Sequence, residues 1–141
     1  MAEKILIVDD DPDMLTVLRW ALAAVGEVLE ACEGRAALRL VENEKPRLIL
    51  LDVAMPGMGG IEVLRAARLL DPTIIIVMLT GLCDIGVAKE ALDCGARAYV
   101  TKPFDGNYLR AEVQRLLETA KPQAAAEAED ESGRPWRVRQ S

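Results

Sequence analysis

Histidine is absent from the 141 residues. That removes imidazole from general catalysis, from metal ligation and from any phosphohistidine carried by this chain. A basic stripe is missing too. The net charge is −6. Residues 1–120 carry the whole excess, with 19 acidic against 13 basic side chains, while the last 21 residues balance at four and four. Direct nucleic-acid binding rests on Lys and Arg neutralising phosphates, so it is not expected. Cysteine is limited to Cys32, Cys83 and Cys94, odd in number and without metal or redox spacing, which fits a reducing, cytoplasmic setting. Cys32 and Cys94 are expected as small buried hydrophobes, and Cys83 falls in a predicted loop. No apolar run approaches a membrane span, and the run at 5–8 is too short for a signal peptide. A metal, if bound, must use oxygen ligands, which points to Mg²⁺, Ca²⁺ or Mn²⁺.

What the chain does have is a core. About half of it, 51%, is apolar, enough for one domain of this length. The central stretch is Arg47-Leu-Ile-Leu-Leu-Asp52-Val-Ala-Met-Pro56-Gly-Met-Gly-Gly60. Its apolar run is too short for an ordinary helix and reads as a strand buried on both faces. Asp52 sits at the end of that strand, at the edge where open α/β sheets bind ligands. A carboxylate that merely caps the following turn fits the same stretch.

Similar units flank it. Residues 4–8 form a short strand that ends on Asp9, Asp10 and Asp11. Asp11-Pro12 is a helix start, and Met14, Leu15, Leu18, Leu22 and Val25 recur at helical spacing until Gly26 stops the run. A weaker strand at 27–31 precedes a helix at 34–44, with Ala37, Leu38 and Val41 inward and Pro46 closing it. A helix at 60–70 turns Ile61, Leu64, Ala67 and Arg68 to one face, although Gly59 and Gly60 should weaken its start. A second fully apolar strand at 73–79 ends on Thr80-Gly81. A helix at 84–94 carries Val87, Ala91 and Leu92. The strand at 96–101 ends on Lys102-Pro103, and Asp105 caps a last helix with Leu109, Val113, Leu116 and Leu117. The fivefold β-α alternation predicts a doubly wound parallel α/β sheet over residues 1–120. Residues 121–141 are polar and low in complexity and are expected to be a disordered tail. Within that tail, Trp136-Arg-Val-Arg139 reads as part of a disordered end rather than as a docking peptide.

In a parallel sheet the strand ends share one edge, which gathers Asp9, Asp10, Asp52, Thr80 and Lys102. Carboxylates brought together repel one another, and a divalent cation relieves this. Mg²⁺ suits such hard oxygen ligands. A strand-end Asp beside a metal, a lysine and a hydroxyl is equipped to accept a phosphoryl group as an aspartyl phosphate.

Four segments, Ile5-Leu-Ile-Val-Asp9-Asp10-Asp11-Pro12, Leu50-Leu-Asp52-Val-Ala-Met-Pro56-Gly-Met58, Leu79-Thr80-Gly81 and Tyr99-Val-Thr-Lys102-Pro103-Phe104, resemble the receiver domain of bacterial two-component response regulators, the CheY-like family. The resemblance covers residues 3 to 120. It implies a flavodoxin-like fold with five helices and strand order 2-1-3-4-5, as in this family. It implies Asp52 as phosphoacceptor, and Mg²⁺ held by Asp10, Asp52 and the backbone carbonyl of Ala54, with Asp9 acting chiefly through water. It gives Lys102 the phosphoryl group to bind, makes Thr80 close on that group, and makes Tyr99 an aromatic switch that turns inward with Thr80. It also implies a cis Lys102-Pro103 bond. The partners it implies are a sensor histidine kinase or histidine phosphotransfer protein upstream, and a protein target that reads the fourth helix, fifth strand and fifth helix. The same surface is where two copies would pair. Such a domain is a switch and not an enzyme beyond its own phosphotransfer and dephosphorylation.

The chain departs from the family pattern in places. Gly59 replaces a frequent Asp. Leu82-Cys83 replaces more polar residues after the Thr, and Ala54 and Leu82 stand where water-orienting side chains speed phosphate loss, which predicts a long-lived phosphoryl state. Other readings fit less well. A haloacid-dehalogenase-like phosphatase wants Asp-x-Asp-x-Thr/Val, but Asp9-Asp10-Asp11-Pro12-Asp13 lacks the final Thr or Val. A flavodoxin needs a Ser/Thr/Gly phosphate loop where this chain has acids. A receiver fold used only for protein binding, without phosphorylation, leaves the full set of site residues unused.

Overall fold

A computed structural model describes residues 3–53, 55, 57–81 and 85–119. Five parallel strands form one sheet: β1 (Glu3–Val8), β2 (Gly26–Ala31), β3 (Leu48–Asp52), β4 (Ile75–Thr80) and β5 (Ala98–Thr101). They lie in the order β2-β1-β3-β4-β5, as the resemblance implies. Helices α1 (Pro12–Leu22), α2 (Gly34–Glu44), α3 (Gly60–Leu70), α4 (Ile85–Asp93) and α5 (Gly106–Thr119) alternate with them. The chain winds outward from β1 to β2, then crosses to β3 on the other side. The topological switch point, the usual ligand crevice of such a sheet, therefore lies between β1 and β3.

Alternation along the strands builds two cores. Ile5, Ile7, Leu48, Leu50, Val77 and Leu79 face one side, where α1 and α5 pack through Leu18, Leu22, Leu109, Val113 and Leu116. Leu6, Val8, Ile49, Leu51, Ile76 and Met78 face the other, covered by α2, α3 and α4 through Ala37, Val41, Val63, Leu64, Ala67 and Ala91. Both faces of β1, β3 and β4 are covered, which explains why their sequences run apolar without alternation.

Local chemistry sets the helix ends. The Asp11 carboxylate accepts from the Asp13 N–H at 2.9 Å and caps α1, and Asp105 accepts from the Asn107 N–H at 2.8 Å at the start of α5. Lys45 (φ 51°) ends α2 in the left-handed conformation, and Gly95 (φ 112°) follows α4. The Lys102-Pro103 bond is cis.

Some expectations fail. Gly26 does not stop α1, which ends four residues earlier; it opens β2. A Cβ there would lie 2.3 Å from the Glu3 carbonyl oxygen, so the close approach of two strands selects the glycine. Cys32 is exposed and Cys94 only half-buried. Cys32 follows the last residue of β2, an edge strand, where the alternation of the sheet no longer covers it. Leu38 and Ile61 are also half-buried, and Val63 takes the fully buried place on α3. Ala54, Leu82, Cys83, the predicted helix start at Asp84 and the 121–141 tail lie outside the described residues.

Candidate functional site

The register of β1 and β3 pairs Val8 with Leu51. The next residues, Asp9 and Asp52, therefore stand side by side at the switch point. Both are buried, at 1% and 6% exposure, while Asp10 is exposed. One carboxylate oxygen from each of Asp9, Asp10 and Asp52 lies within 4.8 Å of the others. Oxygens in an octahedral shell at about 2.1 Å from Mg²⁺ are about 3 to 4.2 Å apart, so the spacing of these three is compatible with a single divalent ion.

The fifth strand supplies the counter-charge. Lys102 follows Thr101, and its N–H donates to the Thr80 carbonyl at 2.7 Å. Its Nζ lies 3.3 Å from Asp9 Oδ2 and 3.4 Å from Asp52 Oδ1. The other Asp9 oxygen accepts from the Asp11 N–H at 3.0 Å. Burial is the strongest single influence on Lys102 and acts to lower its pKa. Attraction to Asp52 and Asp9, with hydrogen bonds to both, outweighs it and holds the ammonium above its usual range. Three carboxylates against one ammonium leave an excess of two negative charges, the amount a divalent cation balances.

Thr80 ends β4, fully buried, and its hydroxyl donates to the Gly81 carbonyl at 3.1 Å. Tyr99 on β5 pairs with Met78 and packs with it in the α2-α3-α4 core, half-buried. Alternation places Thr80 on that same face, two residues beyond Met78.

The sequence profile of the response regulator receiver domain matches residues 5–114. The chain belongs to this family. Among curated proteins, it is 36% identical over 118 residues to sporulation initiation phosphotransferase F of Bacillus subtilis, covering 83% of this chain and 95% of that protein. It is 40% identical to the regulatory protein AtoC of Escherichia coli, covering 82% of this chain but 25% of that one. It is also 40% identical to the alkaline phosphatase synthesis transcriptional regulatory protein PhoP of B. subtilis, covering 83% and 49%. The chain thus spans nearly all of the first relative and half or less of the other two. Among solved structures, the receiver domain of NtrX from Brucella abortus superposes with a TM-score of 0.78 at 31% identity, covering 82% of this chain and 98% of that one. A CheY-like receiver domain from Methanospirillum hungatei JF-1 gives 0.82 at 31% identity, covering 87% and 99%.

Receiver domains are signalling switches of two-component systems and phosphorelays rather than enzymes of the usual kind. They generally use Mg²⁺ at an acidic cluster, and this receiver has an aspartate group able to hold one. No helix among its described residues is long and apolar enough to cross a membrane.

Of the residues singled out from the sequence, Asp9, Asp10, Asp52 and Lys102 meet directly, and Thr80 joins them through the Lys102 backbone. Tyr99 lies in the core beside Met78 on β4. Two residues that matter locally were not singled out in this role. Gly60 packs so closely that a Cβ would lie 2.6 Å from the Asp52 carbonyl oxygen. It therefore admits α3 to the strand end, and its expected weakening of the helix is outweighed by that contact. Glu62 accepts from the Gly59 N–H at 3.0 Å. The three-residue spacing from the N-cap to a Glu is the signal that could have revealed it.

Proposed function

We propose that this receiver accepts a phosphoryl group on Asp52 from a phosphohistidine of a partner kinase or phosphotransfer protein. The observation that carries the reading is Lys102 shared between Asp9 and Asp52, beside a three-carboxylate cluster at the switch point. An Asp52 oxygen attacks phosphorus, the phosphorus–nitrogen bond breaks, and the imidazole leaves with the electron pair. Asp10, Asp52 and the Ala54 carbonyl would hold Mg²⁺, with Asp9 acting through water. The ion supplies positive charge to the transferring oxygens. The Lys102 ammonium sits at long, shared distances from two carboxylates, beyond the roughly 2.7–2.9 Å of a tight charge-assisted bond. It is free to swing toward the incoming phosphoryl oxygens without losing a closed ion pair.

The Thr80 hydroxyl then trades the Gly81 carbonyl for a phosphoryl oxygen. Tyr99, on the same face, moves into the space that Thr80 vacates. Phosphorylation thereby shifts an equilibrium between two surfaces at α4, β5 and α5, which a protein target or a second copy of the chain reads. The domain covers residues 1–120, with 121–141 a tail. Ala54 and Leu82 offer no polar group to orient water, so the phosphoryl state is long-lived. Polar residues at both positions are expected to shorten its half-life, measured by loss of the adduct after the donor is removed.

Mass spectrometry after incubation with acetyl phosphate and Mg²⁺ tests the central reading. One phosphoryl adduct on the wild type and none on Asp52→Asn is expected. No adduct on either would overturn it.

A further inference from the structure

We propose that Glu62 is a positioning residue for the Asp52 strand end of this metal site, an inference that rests on the proposed phosphoacceptor role of Asp52. Val53 and Gly60, which bracket the stretch between β3 and α3, are both tied to backbone. At its start the Val53 N–H donates to the Leu79 carbonyl at 3.0 Å, tying the strand end that bears Asp52 to β4. At its close the Gly60 N–H donates back to the Val53 carbonyl at 3.1 Å. The first turn of α3 thus rests on the backbone of Asp52 and Val53, with no room for a side chain at residue 60.

Residue 59 is the N-cap of α3, and as glycine it offers no side chain to bond the first turn. Glu62 supplies the other half of a capping box: its Oε1 accepts from the Gly59 N–H at 3.0 Å. A carboxylate in the first turn also suits the positive end of the helix. The bond fixes Gly59 against the first turn of α3, and Gly60 ties that turn to Val53, the residue after Asp52. Removing the Glu62 carboxylate frees one of the anchors that hold the start of α3 in register with Asp52.

The site offers its own rescue. Gly59 has φ −74° and ψ 168°, open to any residue, and a Cβ there meets nothing within 4 Å. Aspartate at 59 would be a good N-cap, bonding the helix from the other side of the same turn.

The experiment measures Mg²⁺ affinity by isothermal titration calorimetry on the full chain, with urea unfolding in parallel and acetyl phosphate uptake as the control for the phosphoacceptor role. Glu62→Ala is expected to weaken Mg²⁺ binding about fivefold, the size of a lost helix cap. Gly59→Asp combined with Glu62→Ala is expected to recover both affinity and stability. Wild-type affinity in Glu62→Ala overturns the inference and leaves the Asp52 reading intact. So does recovery of urea stability in the double variant without recovery of Mg²⁺ affinity, since that separates the metal effect from the anchoring of α3. A wild type that neither binds Mg²⁺ nor takes a phosphoryl group overturns both.

Discussion

The two ends of the sheet each carry a lysine paired with acids, and the pair with the shorter contact is the less consequential one. At the N-terminal end, Lys4 Nζ lies 2.8 Å from Glu44 Oε1, with both side chains over a third exposed. At the C-terminal end, Lys102 lies 3.3 and 3.4 Å from the carboxylates of Asp9 and Asp52, whose side chains are 1% and 9% exposed. Water screens the first pair and competes with it, so its geometry is worth little. The second pair is longer because one ammonium is divided between two acids, but those acids have little water to fall back on. Burial of the partners, not contact distance, decides which pair matters. Loose geometry at the buried end also suits a lysine that, in the proposed transfer, changes partners.

The largest expected effect comes from Lys102→Met. Phosphoryl uptake by this variant should fall about 100-fold or more, the scale of losing one preorganised positive group at a reacting centre. Its unfolding free energy should fall by about 1–3 kcal/mol, less than for a fully enclosed pair because 26% of the Lys102 side chain meets solvent. Urea unfolding and the rate of adduct formation check the two parts.

Asp10→Asn sharpens the comparison at the site end. In the metal-free protein it removes one of three crowded negative charges, so stability should rise by up to about 1 kcal/mol. The same change should abolish stabilisation by Mg²⁺, which at 100 times the dissociation constant amounts to about 2.7 kcal/mol in the wild type. Melting curves with Mg²⁺ and with a chelator read both effects.

The pH dependence separates the two lysines. Both are raised from the ordinary value of 10.5: Lys4 chiefly by its hydrogen bond to Glu44, Lys102 by Asp52 and Asp9 against its own burial. A lysine raised on folding contributes its stabilisation fully below its unfolded value and loses it as pH rises through the folded one. Stability should therefore fall on the alkaline side of pH 10.5, and this limb should be smaller in Lys102→Met. Lys4→Met should leave that limb in place. The smallest expected effect is that Lys4→Met shifts neither the melting temperature near neutral pH nor the phosphoryl uptake, which a thermal scan and the adduct assay would read.

Much of the architecture was legible from the residues. Apolar runs without alternation marked β3 and β4 as strands covered on both faces, and Asp11-Pro12 marked the start of α1. The gathering of Asp9, Asp10, Asp52 and Lys102 followed from placing strand ends at one edge. The errors lie where one strand or helix meets another. Gly26 and Gly60 looked like a stop signal and a weak helix start, because a sequence shows the glycine but not the backbone pressed against it. Cys32 looked like core because a small apolar side chain carries no record of whether its strand lies at the edge or the centre of the sheet.

The sequence by itself determined the alternation of strands and helices, the two-sided burial of the central strands and the chemical identity of the site residues. Those properties are local, written in side-chain polarity at periods of 2 and 3.6. Only the tertiary structure decided that Asp9, rather than Asp10, is the buried partner of Lys102. It alone revealed that Gly60 must lack a side chain. These depend on distances of a few ångströms between segments distant along the chain or facing each other across a turn. Packing sets such distances, and polarity patterns do not encode them.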